Sequence, residues 1–537
     1  MKKLLFSLLF FAFIGANAQS LSRPKLVVGI VVDQMRWDFL YRYYDRYGKD
    51  GFKRLLNRGF SCENTFIPYT PTVTAVGHSS VYTGSVPSLH GIMANNWYDR
   101  QLKKSVYCTD DTTVRGVGTT SSAGRMSPRR LWATTITDEL RMATNFTNKT
   151  IAVALKDRGC ILPGGHTANA AYWFDQDQGN FITSTYYLDT LPAWVRQFND
   201  RKLPDTYLSQ NWNLLYPANT YTQSTPDDRP YEGKVPDGKG SFPHLTSQVT
   251  HDKYEAFWFS PFGNTVTLEM AKAAVEGEQL GKGKATDFLA VSISSTDALG
   301  HQYGPNSVEL EDTYLRLDKD LGAFLKFLDD KVGKGDYLLF LTADHAVAHV
   351  PAWSQEHKIP AGGTSAANVR QQLNDALRQR YNQANLIEVV SGSQVYLNDS
   401  VLQQSGLDRR EVKRQVIQAL LRIPAVSKAV DLEDLPSAGL PEKVRLMLTN
   451  GYNQKLSGDI QFVNKPQWFE VGVTGTGHGA WNPYDSHIPL VWYGWNIRQG
   501  KTNRETYMTD IAATLAALLR IQMPNACIGT VIEEVSR

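Results

Sequence analysis

Lys25-Leu-Val-Val-Gly-Ile-Val-Val32-Asp33 is the stretch whose reading decides the fold. An unbroken apolar, β-branched run without alternation is the pattern of a strand buried on both faces, and such strands belong to mostly parallel sheets flanked by helices. Ligands of these sheets bind beyond the carboxyl ends of the strands, so Asp33 stands where a functional side chain is expected. The same pattern recurs twice. Phe288 to Ser294 runs into Ser295-Thr-Asp297-Ala-Leu-Gly-His301, and Tyr337 to Thr342 runs into Ala343-Asp344-His345. Between them, Glu309 to Leu328 carries a helical stripe of Leu310, Tyr314, Leu317, Leu321, Phe324 and Leu325, which reads as core. Strand, helix, strand with polar groups at strand ends is βαβ construction, so the expected class is α/β with a doubly wound, mostly parallel sheet.

Further along the chain, Arg36 to Arg58 has helical spacing and ends at Gly59, a helix stop. In Tyr69-Thr-Pro-Thr-Val-Thr74-Ala-Val-Gly-His-Ser-Ser80, Pro71 disfavours helix at Thr70 whereas Thr74 to Tyr82 is helical by spacing. Thr74 therefore sits near a helix start, where unpaired N–H groups and the macrodipole favour an anionic oxygen or a phosphate. It is the candidate nucleophile; the competing reading is an N-cap. Gly84 to Asp99 reads as a loop holding Asn95-Asn96. Thr134 to Met142 reads as helix, and Thr150 to Leu155 as a strand leading into Lys156-Asp-Arg158-Gly, two cations able to face one oxyanion.

Two regions interrupt the pattern. About 163–284 shifts toward Tyr, Trp, Asn, Asp and Pro and reads as a cap over the active face. About 351–470 reads as a small α+β insertion, with helices at Ala366–Tyr381 and Arg409–Leu421 and strands at Leu386–Val390 and Gln394–Leu397. The main pattern is expected to return at Phe469–Val473, followed by Gly475-Thr-Gly-His478-Gly, a strand at Pro489–Trp492 and a closing helix at Thr509–Leu519.

At its start, the chain has the three-part form of a secretory signal: Lys2-Lys3, an apolar Leu4 to Ile14, and Ala16-Asn17-Ala18. Cleavage is expected after Ala18, leaving 19–537 as one catalytic domain in the periplasm or outside the cell. No later run approaches the ~20 apolar residues of a membrane span. Removing Lys2 and Lys3 lowers the formal charge from +3 to +1, which gives no reason to expect a nucleic-acid or membrane partner. A monomer is expected. Cys62, Cys108, Cys160 and Cys527 have no close spacing, so a thiolate zinc site is disfavoured and one or two disulfides are open.

Collected, strand ends and neighbouring loops offer Asp33, Thr74, Asp297, His301, Asp344, His345 and His478. Carboxylate with imidazole is the ligand chemistry of zinc and related divalent ions. The ordered set Asp33, Thr-Val-Thr74-Ala-Val-Gly-His, Asp297-Ala-Leu-Gly-His301, Thr-Ala-Asp344-His345 and Gly-His478-Gly resembles the alkaline phosphatase superfamily across nearly the whole mature chain. Within it the chain most resembles the phosphate-irrepressible alkaline phosphatases, which use a threonine nucleophile and two zinc ions. The resemblance implies the superfamily's doubly wound sheet with a cap. It implies that Asp33, Asp344, His345 and Thr74 surround one zinc, that Asp297, His301 and His478 hold the other, and that Asn95, Lys156 and Arg158 contact the phosphate oxygens. It also implies small phosphate monoesters as substrates. His78 and His487 have no metal role in it, and Asn96 is the lesser member of its pair.

Other readings stay open at this point. A nucleotide pyrophosphatase/phosphodiesterase would share the metal ligands and the threonine; Lys156 and Arg158 argue for a monoester, whose extra oxygen charge two cations can meet. A sulfatase would need a Cys or Ser in a C/S-x-P-x-R context, which none of the four cysteines has. An exported metal- or phosphate-binding protein without turnover would have no use for a nucleophile beside open-sided metals.

Overall fold

The computed structural model describes residues 22–234, 238–472 and 474–536. The expected leader, 1–18, lies outside them. All seven residues of Leu26–Val32 are buried, and because side chains alternate along a strand, both faces of the sheet are covered. The strand lies near the middle of a ten-stranded sheet. It pairs in parallel with Asp287–Ile293 on one side and Tyr337–Thr342 on the other. Thr150–Ala154 and then Ala170–Asp175 continue the parallel core. Leu490–Gly494 runs antiparallel against Tyr337–Thr342, so the sheet is mostly, not wholly, parallel.

One glycine in the central strand links fold to site. A Cβ on Gly29 would lie 2.5 Å from the Tyr82 hydroxyl and 2.6 Å from Phe340, so only glycine lets the helix Thr74–Thr83 come this close to the sheet. Gly77 does the same at the other end: its Cβ would meet the Asp344 carbonyl oxygen at 2.3 Å. The helix is thus seated with Thr74 against the Asp344-His345 strand end.

Several elements depart from the sequence reading. Arg36–Arg58 is not one helix but Phe39–Arg42, a 3₁₀ turn Tyr44–Arg46, and Phe52–Arg58. The break is made by Gly48 and Gly51, whose segment wraps the Asp318 carboxylate; Asp318 accepts from the N–H groups of Gly48 and Phe52. The stretch expected as loop holds a short helix, Pro87–His90, and a strand, Asn96–Asp99, that pairs with Lys104–Tyr107. Of the region expected as a cap, Ala170–Asp175 and Asn180–Ser184 are strands of the main sheet, and Phe262–Gly277 packs on Asp287–Ile293. Within 351–470, four strands form a separate sheet over their own apolar core around Leu373, Val395 and Val416. Trp468–Glu470 does not rejoin the main sheet; it pairs with Gly362–Thr364, and Val473 lies outside the described residues. All four cysteines are free thiols.

Candidate active site

The carboxyl ends of two central strands deliver three of the side chains. Asp33 follows Leu26–Val32 directly; Asp344 and His345 follow Tyr337–Thr342 with one residue between. Asp297 and His301 are not on a strand end as such: they occupy the helix Ser295–Tyr303, one turn apart, so they share a face. His301 Nε2 lies 3.2 Å from Asp297 Oδ1. His478, from the glycine-flanked loop, brings Nε2 to 3.2 Å from His301 Nε2 and 3.7 Å from Asp297 Oδ1. Two sets of three donors fall within metal-binding reach of one another, Asp33/Asp344/His345 and Asp297/His345/His478. His345 thus stands between the two, its ring stacked on that of His478 with centroids 3.6 Å apart.

The chemistry of these donors suits divalent ions. The Nδ1 of His345, His301 and His478 each face a backbone carbonyl, of Ala346, Thr476 and Thr72 respectively. An imidazole that donates through Nδ1 presents a lone pair on Nε2, and all three Nε2 atoms point into the site. Asp33 Oδ1 is buried without a hydrogen bond from any described residue, and Asp344 Oδ2 faces the His78 ring at 3.2 Å. Asp33, Asp297 and Asp344 are buried together with one ammonium, Lys156, whose Nζ lies 2.6 Å from Asp33 and 2.5 Å from Asp297. Three buried carboxylates against one cation is a charge excess that bound cations offset. Burial, then the charges of Asp297 and Asp344, hold the Asp33 carboxyl well above the usual range. Burial also opposes ionisation of Asp297, but Lys156 and His301 outweigh it and hold that carboxyl well below the usual range.

Thr74 is the first residue of its helix, after the extended Val73, and is buried with Oγ1 3.5 Å from His345 Nε2. Asn95 reaches the same helix start: its Oδ1 accepts from the Ala75 N–H at 2.8 Å. Lys156 and Arg158 open the helix Asp157–Gly164, and the Arg158 charge is near enough to oppose the Lys156 ammonium. Of the remaining candidates, His487 is away from this group, stacked between Trp37 and Phe66. Asn96 is exposed on the hairpin.

Three further residues belong to the site: His78, expected to support it without holding metal, and Gln34 and Tyr107, which the sequence reading does not single out. His78, one turn after Thr74, sets Nδ1 2.9 Å from the Thr74 carbonyl and 3.2 Å from Asp344 Oδ2, and Nε2 2.8 Å from Ser292 Oγ. Gln34, in the left-handed region at φ 66°, donates its N–H to Asp344 and its side-chain amide to Asp297, tying both carboxylates. Tyr107 accepts from Arg158 Nη1 at 2.9 Å and donates to Asp157 Oδ1 at 2.8 Å. The i, i+4 spacing could have flagged His78; no local signal points to Tyr107.

The sequence profile of the type I phosphodiesterase/nucleotide pyrophosphatase family matches residues 27–485. The chain belongs to that family. Among its relatives, the alkaline phosphatase PhoV of Synechococcus elongatus is 52% identical over 96% of this chain and 94% of its own. The alkaline phosphatase PafA of Elizabethkingia meningoseptica is 49% identical over 97% of this chain and 96% of its own. A relative from Myroides odoratus, 49% identical over 98% of this chain and 97% of its own, is named a calcium-transporting ATPase. The crystal structure of wild-type PafA superposes with a TM-score of 0.94 at 48% identity, covering 96% of this chain and all of that one. A second PafA structure carries substitutions of a Thr, an Asn, a Lys and an Arg. The fold is therefore that of the alkaline phosphatase superfamily.

Proposed function

We infer that this protein is an exported alkaline phosphatase, hydrolysing phosphate monoesters through a phosphothreonine at Thr74 in a site for two zinc ions. The observation that carries the reading is the convergence of the Thr74 hydroxyl, at a helix start, with two overlapping sets of carboxylate and imidazole donors. Close relatives named alkaline phosphatases support it. So does the variant of PafA, whose substituted Thr, Asn, Lys and Arg follow the order of Thr74, Asn95, Lys156 and Arg158.

Asp33, Asp344 and His345, beside Thr74, would hold one ion, and Asp297, His301 and His478 the other. The ions would supply Lewis-acid stabilisation of alkoxide at the attacking and leaving oxygens. Thr74 Oγ1 attacks phosphorus in line, aided by the helix N-terminus, and the ester oxygen leaves on the opposite side. Water then cleaves the phosphothreonine. Asn95, Lys156 and Arg158 neutralise the non-bridging oxygens, which carry most of the charge in a loose transition state. Two cations match a monoester better than a diester, and this favours phosphatase over the diesterase activity in the family's description. The ATPase name of one relative involves the same release of a terminal phosphoryl group to water; calcium transport lies outside the proposal. Rapid acid quench of a turning-over labelled monoester, followed by peptide mapping, tests the reading. Label is expected on the Thr74 peptide in the wild type and absent in Thr74→Ala, which lacks the hydroxyl; label on another residue overturns the assignment.

A further inference from the structure

A cavity of about 190 Å³ lies next to the active site and is not lined by Thr74 itself. Val73, the residue before Thr74, and His478 line it together with Trp468, Phe469, Phe462 and Trp481. It lies between the catalytic loops and the small sheet of residues 387–464, so the insertion supplies one side of it. Its size just exceeds that of a cavity of ~150 Å³ known to hold a benzene ring. Trp468 and Trp481 are half-buried, leaving ring surface toward the space. Among the lining residues there is no lysine or arginine, and Glu470 brings a carboxylate.

We propose that this cavity is the binding site for the alcohol portion of the substrate, and that it selects monoesters of uncharged aromatic alcohols. The assignment rests on the phosphatase reading above. In an in-line displacement the leaving oxygen lies across phosphorus from Thr74, on the side of Asp297, His301 and His478, and His478 is the group shared by that cluster and the cavity. Asn95 and Arg158, carried by and bonded to the hairpin at residues 96–107, approach from elsewhere and do not line it. An aromatic ring seated among tryptophan and phenylalanine gains apolar burial and ring–ring contact. An anionic leaving group meets Glu470 with no cation to offset it.

The test compares benzyl phosphate with ethyl phosphate, whose alcohols depart with similar ease and differ by one ring. Wild type is expected to prefer the benzyl ester in kcat/KM by about tenfold, the discrimination an apolar pocket gives for a small added group. Trp468→Ala and Trp481→Ala should each bring the ratio toward unity by lowering the benzyl rate more than the ethyl rate, and Trp468→Phe should keep most of the preference. Calorimetric binding of benzylphosphonate against ethylphosphonate should show the same pattern without turnover. Glu470 is exposed, so Glu470→Gln leaves the core intact; it should raise the rate on 4-carboxybenzyl phosphate relative to benzyl phosphate several-fold. A benzyl-to-ethyl ratio that neither tryptophan variant changes, in kinetics and in binding, overturns the proposal while leaving the phosphatase reading standing. Hydrolysis of neither ester overturns both.

Discussion

Tyr107→Phe removes one hydroxyl and nothing else, and that hydroxyl is the only described side-chain partner of Arg158 within hydrogen-bond distance. Asp157, the nearest carboxylate, is 4.0 Å away, too far to hold the guanidinium by itself. A hydrogen bond to a charged group contributes about 1.5–3 kcal/mol, and with the Arg158 side chain 18% exposed, water replaces part of it. The expected cost is about 1–2 kcal/mol of transition-state stabilisation, roughly a 5–30-fold fall in kcat/KM for a monoester. Removing Arg158 itself should cost about 2–4 kcal/mol, the range for a preorganised oxyanion donor. The assay is steady-state hydrolysis of an aryl monoester and its matching diester by wild type, Tyr107→Phe, Arg158→Ala and the double variant. If Tyr107 acts by holding Arg158, its substitution costs nothing further once Arg158 is gone, and the diester rate barely moves. A Tyr107→Phe loss of equal size in both backgrounds, or on both substrates, refutes the reasoning.

Other outcomes follow from the same geometry. Gly77→Ala should lower Tm and depress activity more than tenfold: alanine gains up to about 1 kcal/mol of helix propensity, but its Cβ would lie 2.3 Å from a backbone oxygen of Asp344, and overpacking of that kind costs about 1–3 kcal/mol before any displacement of Thr74. Chelation should abolish turnover and lower Tm, because the three buried carboxylates are left with Lys156 alone; at a metal concentration a thousandfold above Kd the stability lost is about 4 kcal/mol, and calorimetry with zinc returned checks it. Glu232 is buried beside Glu309, and burial followed by that charge pushes its carboxyl up to about 8. Between its unfolded value near 4.5 and 8 the folded state binds the extra proton, so stability falls as pH rises through that window; Glu232→Gln should flatten the decline of Tm between pH 5 and 9.

What the sequence made legible was what short-range chemistry encodes. Leu26–Val32 and Tyr337–Thr342 are almost wholly apolar because both faces are covered, and Asp33, Asp344 and His345 follow within three residues, so strand position and site position are one signal. The rest depended on contacts between distant residues. The break in 36–58 is held by Asp318, and nothing local announces it. The hairpin Asn96–Asp99 with Lys104–Tyr107 buries only Trp97 and Val106 and lacks hydrophobic alternation, so its strands, and Tyr107 with them, read as loop. Ala170–Asp175 is fully buried sheet core, yet the irregular, aromatic-rich composition around it reads as a cap because its pairing partners are distant in sequence. Asp297 and His301 read as following a strand, whereas their i, i+4 spacing belongs to the helix Ser295–Tyr303 that puts them on one face.

The most direct test of the central claim is the ratio of kcat/KM for an aryl phosphate monoester to that for the matching diester, measured on the zinc-loaded enzyme with wild type and Thr74→Ala. A large monoester preference that collapses in the variant is the expected result. A diester preference, or a monoester rate that survives loss of the Thr74 hydroxyl, would contradict it.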